Sequence, residues 1–327
     1  MITDAGGMIQ RQVNTSIVAR STREPACAHL SAKVRTTLVA AVATALFTFD
    51  AYSRANAQDA AAAAPVTTQP PAAVRSAGPW PGRVSATYRV AFNGFDIGEF
   101  KFAATVTGQT YSLTGNAELS ALLGAFSWSS QTRASGTVAG DVARPAGYTF
   151  DYRTTQKSGS VKLGFSDGRV SSVAMVPPSP PSSGSVPVRD FHLKDVLDPL
   201  TAVMALSRGK SNPCAKKLSI FDGKQRFDLA LSFKKQVRIA ESRPSGQPNL
   251  GYVCRVRYIP IAGHKNNDQT QEMAANGGIE VVLRPIPSAN LVVPYEITLP
   301  TAAGTAVLTS TRVDIVTPGQ RQIALVH

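Results

Sequence analysis

The chain is poor in the side chains from which most chemistry is built. Its 327 residues include three cysteines, four histidines and two tryptophans, so acid–base and metal chemistry have few anchors. There is no G-x-S-x-G elbow and no H-E-x-x-H zinc helix. Ser207-Arg208-Gly209-Lys210 matches S-x-x-K, but the S-D-N and K-T-G partners of penicillin-recognising enzymes are missing, and a helix end is the simpler reading. Gly209-Lys210-Ser211 imitates the end of a phosphate loop, yet Met204 stands where the first glycine is required. No catalytic residue, metal site or cofactor is therefore expected.

Long apolar runs are equally scarce. One stands out, Thr36 to Phe49, with Lys33 and Arg35 before it and Ala55-Asn56-Ala57 after it. A charged flank, a short apolar stretch and a small-x-small site form the pattern of a secretory signal peptide. The run is shorter than the ~20 residues that span a bilayer. The expectation is a signal peptide over residues 1–57, read at Ala55 and Ala57 and cleaved after Ala57, with the remainder exported to the periplasm as a soluble protein. An uncleaved anchor or a buried helix is the alternative for the same run. The stretch before Lys33 is long for such a signal, as an upstream-annotated start codon would make it.

Cleavage would remove Cys27 and leave Cys214 and Cys254. In an oxidising compartment such a pair forms a structural disulfide, and no C-x-x-C motif suggests redox or metal work. Cys27 precedes the apolar run, so it is not a lipidated first residue. The charge falls as well. Loss of Arg11, Arg20, Arg23, Lys33, Arg35 and Arg54 with Asp4, Glu24 and Asp50 takes +13 to +10. That surplus favours peripheral contact with anionic membrane or acidic polymers over nucleic acid. The basic residues are scattered, which also suits a generally solvated surface.

Residues 58–79, rich in Ala, Pro, Gln and Thr, cannot bury enough apolar surface to order themselves and read as a flexible leader. From Arg83 the pattern becomes alternation. Val84, Ala86, Tyr88, Val90 and Phe92 share one face before the turn Asn93-Gly94, and Asp167-Gly168 joins two more alternating runs. A proline- and serine-rich loop over 177–189 interrupts the series. One helix follows, with Asp198 as N-cap, Pro199 at the first helical position and a stripe of Val196, Leu197, Leu200, Val203 and Met204. A second strand set then runs to Val316, in which Phe227, Leu229, Leu231 and Phe233 alternate against Arg226, Asp228, Ser232 and Lys234. The expected fold is all-β and mainly antiparallel, a single domain over 80–327. It forms a curled open sheet or half-barrel with one plugging helix, or two sheets joined at the loop. Candidate plug and concave-face residues are Leu197, Leu200, Val203, Met204, Phe227, Leu229, Leu231 and Phe233.

Several segments taken together resemble a known family. Tyr88-Arg89-Val90-Ala91-Phe92-Asn93-Gly94-Phe95-Asp96-Ile97-Gly98-Glu99, Arg144-Pro145 with Tyr148, the Asp198-Pro199-Leu200 helix start and Phe221-Asp222-Gly223-Lys224-Gln225-Arg226-Phe227-Asp228-Leu229 are similar to exported bacterial proteins with the domain of unknown function DUF3108. The resemblance covers roughly residues 83–316. It implies an envelope protein with an open, curled sheet similar to the lipoprotein carriers LolA and LolB, which hold acyl chains in a concave face beneath helices. No catalytic residue comes with it.

His192, beside Asp195 and Asp198, and His264, in a polar turn, are better explained by capping and turn formation than by catalysis. Asp96 and Glu99 lack an established separation for glycosidase work. The first functional expectation is a non-enzymatic periplasmic binding or envelope-maintenance protein holding a lipid, lipoprotein or other apolar ligand. The alternative is an envelope scaffold for a protein or cell-wall partner, with its concavity packed by its own side chains. A hydrolase and an integral outer-membrane barrel stand behind these. A void in the concave face favours the carrier, and a filled one the scaffold.

Overall fold

The computed structural model describes residues 79–327, apart from 122–123, 181–182, 209–211, 266–267, 276 and 302. The expected signal peptide with Ala55 and Ala57, nearly all of the 58–79 leader, and Gly209-Lys210-Ser211 thus lie outside the described residues.

Alternation builds the first half. β1 (Arg83–Phe92), β2 (Phe95–Thr107), β3 (Thr110–Ala121), β4 (Phe126–Ala139), β5 (Val142–Thr154), β6 (Ser158–Ser166) and β7 (Arg169–Val176) form a meander in which each strand pairs antiparallel with the next. In β3, Leu113, Ala117 and Leu119 are buried while Ser112, Asn116 and Glu118 face water. That is the period-two pattern of a sheet with one wet face. Two tight turns hold the register: Asn93-Gly94 and Asp167-Gly168 take positive φ at both residues, as a two-residue hairpin requires.

The second half is another meander: β8 (Lys217–Phe221), β9 (Arg226–Arg238), β10 (Leu250–Ala262), β11 (Glu280–Ile286), β12 (Leu291–Thr301) and β13 (Gly304–Val316). The halves join where β1 pairs with β13, from Arg83↔Val316 to Phe92↔Ala306. The result is one sheet of order β7-β6-β5-β4-β3-β2-β1-β13-β12-β11-β10-β9-β8, with β14 (Gln322–Val326) added beside the end of β13. It is a single open, curled antiparallel sheet, not two.

The curl brings its ends near each other without closing it. Gly223, in the β8–β9 turn, lies so close to β6 that a Cβ there would come 2.5 Å from the Val161 methyl. Between the edges runs the segment Lys194 to Leu197. Lys194 bridges Arg169 of β7, while Leu197 takes a backbone position beside β8 by donating to Ser219 O and accepting from Phe221 N. Leu197 and Val196 of the expected stripe are thus extended strap, and α1 (Pro199–Leu206) begins after its Asp198 cap at Pro199, as Asp198-Pro199 indicated.

Four details depart from expectation. A second short helix, α2 (Asp268–Ala275), and β14, beyond the expected end of the strand set at Val316, were not anticipated. Phe233 does not join the interior. It sits on the same side as Leu231 but is 48% exposed, because β8 accompanies β9 only from Arg226 to Ala230 and leaves its far end without a neighbour on that side. Asp228, expected outside, is buried. Its neighbours Lys217, Arg226 and Ser219 close over the carboxylate.

Candidate functional site

Helix α1 lies inside the curl, between β3–β5 on one side and β8 on the other. Its start is fixed by Asp198, whose carboxylate oxygen accepts from Leu200 N (3.0 Å) and Thr201 N (2.9 Å), with Pro199 pre-set for the first turn. The second carboxylate oxygen of Asp198 is buried without a hydrogen-bond partner. Burial pushes this acid up to about 6. Thr201 shares a hydrogen bond with the hydroxyl of Tyr111 at 2.9 Å, tying the helix to β3.

The other end is held by cations. Lys216 donates to the carbonyls of Ala205 (2.9 Å), Leu206 (2.7 Å) and Arg208, a charge placed against the negative end of the helix. Burial pulls its ammonium down to about 8. Cys214, two residues earlier, is joined to Cys254 of β10 by a disulfide with a Cα–Cα distance of 5.3 Å. The chain leaving α1 is thereby pinned to the second meander.

The expected plug and concave-face residues divide as follows. Leu200 and Met204 are buried in a cluster with Tyr111, Leu113, Ala134, Tyr148 and Leu163 of the first meander. Val203 and Met204 line a small cavity with Trp80, Val84, Phe102 and Leu291. Leu231, with Phe227 and Leu229 packed beside it, lies in a different cluster around Cys214, Cys254, Val256 and Tyr258. Leu197 belongs to the strap, and Phe233 to neither.

The cavity under α1 holds about 50 Å³. Pockets that enclose small organic ligands run to about 300–1,000 Å³, so this space takes a water or a methyl group and no acyl chain. It adjoins a wider groove of about 510 Å³ at the rim, bounded by Pro79, Trp80, Val106, Gln109, Val138 and Pro318 among others. Trp80 and Val106 stand between the two spaces. The Trp80 indole donates to Gly140 O at 2.8 Å, and the guanidinium of Arg208 lies 4.6 Å from its ring centroid. Arg208 is itself held by Asp141 at 3.0 Å and by Asn290 O at 3.0 Å. Sequence reasoning missed this cluster. Its signal was a rare tryptophan set between prolines, in Gly78-Pro79-Trp80-Pro81-Gly82.

The polar residues singled out from sequence are committed elsewhere. His192 accepts the backbone N–H of Arg189 at 3.1 Å, and His264 is buried in a turn that lowers its pKa by desolvation. Asp96 pairs with Arg89 at 3.4 Å, and Glu99 with Lys101. Among the described residues no group of three or more His, Cys, Asp or Glu is placed to hold a metal ion. None of the described helices is long and apolar enough to cross a membrane.

No curated protein matches the chain. Among solved structures it is similar to a beta-barrel-like protein of domain of unknown function DUF1849 from Brucella abortus. That similarity has 11% identity and a TM-score of 0.41, covering 72% of this chain and 98% of that one. The model of the family described as "Protein of unknown function (DUF3108)" matches residues 87–311, a stretch that runs from β1 into β13 and takes in α1, its capping Asp198 and both bonded cysteines. The chain belongs to the DUF3108 family.

Proposed function

We propose that this protein is a non-enzymatic scaffold of the cell envelope: an exported β platform that binds a protein or cell-wall partner through its outer surfaces. The observation that carries this reading is the filled concavity, in which α1 leaves about 50 Å³ beneath it. The described residues pack the curl with their own side chains, and the space beneath α1 is too small for an acyl chain. Export is supported by the charged flank, apolar run and Ala55-Asn56-Ala57 site of the sequence, and by a disulfide suited to an oxidising compartment. The test is native mass spectrometry of the delipidated chain titrated with palmitate and with phosphatidylglycerol. The scaffold reading predicts no bound ligand. A complex at one ligand per chain overturns it.

A second reading, an apolar-ligand carrier similar in manner to LolA and LolB, is favoured by one observation. Trp80, together with Val106, lines both a nearly apolar cavity and a much larger groove. On that reading Trp80→Ala binds palmitate at least as tightly as the parent chain. On the scaffold reading neither protein binds it.

A further inference from the structure

The outer side of the sheet is unevenly charged. On β1, β2 and β13 the cations Arg89, Lys101 and Arg312 each sit beside a carboxylate, Asp96, Glu99 and Asp314. At the corner formed by β8 to β10 that balance fails. Arg255 and Arg257 alternate with the buried Cys254, Val256 and Tyr258, so both face outward, exposed. Lys217 of β8 lies on the far side of Ala230 from Arg257. A bulge at Lys234, which has no counterpart in β10, brings two successive lysines to this same side. Lys234 reaches Glu280, the residue opposite Arg255, and Lys235 stands opposite Val253, which packs outward against Ile239. Both carboxylates of the corner are thereby taken, Glu280 by Lys234 and the buried Asp228 by Lys217 and Arg226. No ion pair among the described residues includes Lys235, Arg255 or Arg257.

We infer that this corner is a docking face for the surface of an anionic phospholipid bilayer. Strand geometry sets Arg255 and Arg257 about 7 Å apart and Lys217 about 10 Å from Arg257. These spacings are close to the Debye length of ~8 Å at physiological salt, so the cations reinforce one another's potential. Only the short side chains of Ala230 and Ser232 lie between them, opposite Arg257 and Arg255, and nothing there holds a surface away. No cleft gathers the cations around one ion, and an open row fits an array of headgroups. The rim supplies the second feature. Phe233, next to the two lysines, is the one large apolar side chain left exposed among the described residues of β8 to β13. A basic face with an aromatic at its edge suits an interface, where cations meet headgroups and the ring reaches the acyl boundary. An acidic polymer would use the cations and leave Phe233 without a role. The contact adds a membrane to the partners of the scaffold reading, and it stands whichever way the concavity is read. A single lipid meets one or two of these cations, so the attraction accumulates only against an array and yields no one-lipid complex of the kind that marks an internal chamber.

The test is sedimentation with vesicles at low salt, using protein purified after expression of the full chain with its N-terminal segment intact. The parent is expected to partition roughly a hundredfold more strongly onto vesicles of equal parts phosphatidylcholine and phosphatidylglycerol than onto phosphatidylcholine alone. High salt should remove that preference. The combined variant Lys235→Gln, Arg255→Gln and Arg257→Gln should lose most of it, about fivefold for each cation removed. Arg133→Gln, Arg153→Gln and Lys162→Gln together take the same charge from exposed positions of the first meander, and this control should stay within about threefold of the parent. Ser232→Glu, which adds a carboxylate opposite Arg255 at an exposed position, should weaken partition about fivefold or more with every cation in place. Circular dichroism at the parent level shows that the variants are folded. A parent with no preference for the anionic vesicles overturns the inference. So does a control that loses as much as the corner variant, since net charge alone would then explain the binding. Retention by soluble polyphosphate without sedimentation on the vesicles overturns it in favour of an acidic polymer.

Discussion

The two meanders share one architecture but meet water differently. In the first, β3 and β4 bury alternate residues and leave the others wet. In the second, β11 is buried along nearly its whole length, and β10 and β12 over their first halves. The difference comes from an outer layer. Residues 239–249 pack on the outer side of β10–β12 and meet the chain end just past β14, with Ile239 against Val253 and Val282 beside Val237 and Tyr295. Beneath this layer Arg284 is fully buried. It donates to Glu241 at 2.6 Å and to Pro248 O at 3.0 Å, and it meets His327 Nε2 at 2.9 Å. The first meander gains its stability from one covered face and a helix. The second is covered on both faces, and a buried charge network fastens its outer layer.

The largest expected effect breaks that fastening. Arg284→Ala removes one partner of a buried pair and leaves the largely buried Glu241 carboxylate without its cation, a change worth about 3–5 kcal/mol. Urea unfolding should show this loss. A loss under about 1 kcal/mol would mean that the outer layer is held by its apolar contacts alone. Arg284→Met, which keeps bulk without charge, should fall between the two as long as Glu241 remains.

Next in size is the disulfide that ties the exit of α1 to β10. Replacing Cys214 and Cys254 together by serine opens a loop closed over a sequence separation of 40 residues and should cost about 4 kcal/mol in the chain-entropy model. The loss should register first around α1, since Cys214 sits just past the helix and Cys254 in β10. Hydrogen exchange checks this: α1 amides should gain exchange before those of β3. Equal acceleration across both meanders would show that the bond stabilises the fold only globally.

How much of this was legible in the sequence follows from the same contrast. The first meander could be read strand by strand, because one wet face produces strict alternation and Asn-Gly and Asp-Gly mark hairpins by their tolerance of positive φ. The second was blurred. Continuous burial in Val281-Val282-Leu283-Arg284-Pro285-Ile286 carries no period, and the partner of the buried Arg284 lies 43 residues away. The helix start was plain from Asp198-Pro199, since capping is local. Phe233 and Asp228 were misplaced because alternation names two faces but cannot tell how far a neighbouring strand extends. Of the cluster of Trp80, Arg208 and Asp141 only the tryptophan was marked in the sequence, for a related reason. It is assembled from three loops at one rim, and no local pattern connects them.

The smallest of the three effects separates the halves by their response to acid. Asp198, at the start of the helix that plugs the curl, is raised to about 6 by burial, and burial also raises Asp222 in the β8–β9 turn. Tyr111 and Tyr148, which face this cluster from β3 and β5, stay neutral because burial raises them too. A carboxyl whose folded pKa exceeds its unfolded value contributes stability that is fully present below pH ~4 and is lost as pH rises through about 6. The outer network has the opposite sign. Burial works against the Glu241 carboxylate, but hydrogen bonds from Ser245 and Arg284 outweigh it and hold the pKa below the usual range. Its contribution is present above the unfolded pKa and fades as pH falls through the folded one. Between pH 4 and 6 the plug should therefore weaken by about 2 kcal/mol, while the outer layer changes little. Asp198→Asn keeps an N-cap acceptor and removes the titration. Urea unfolding at pH 4.5 and 7 should show a smaller difference between the two conditions in this variant than in the parent. An unchanged difference would assign the pH response to Asp222, and a reversed one to His264 and His327, whose pKa values burial lowers.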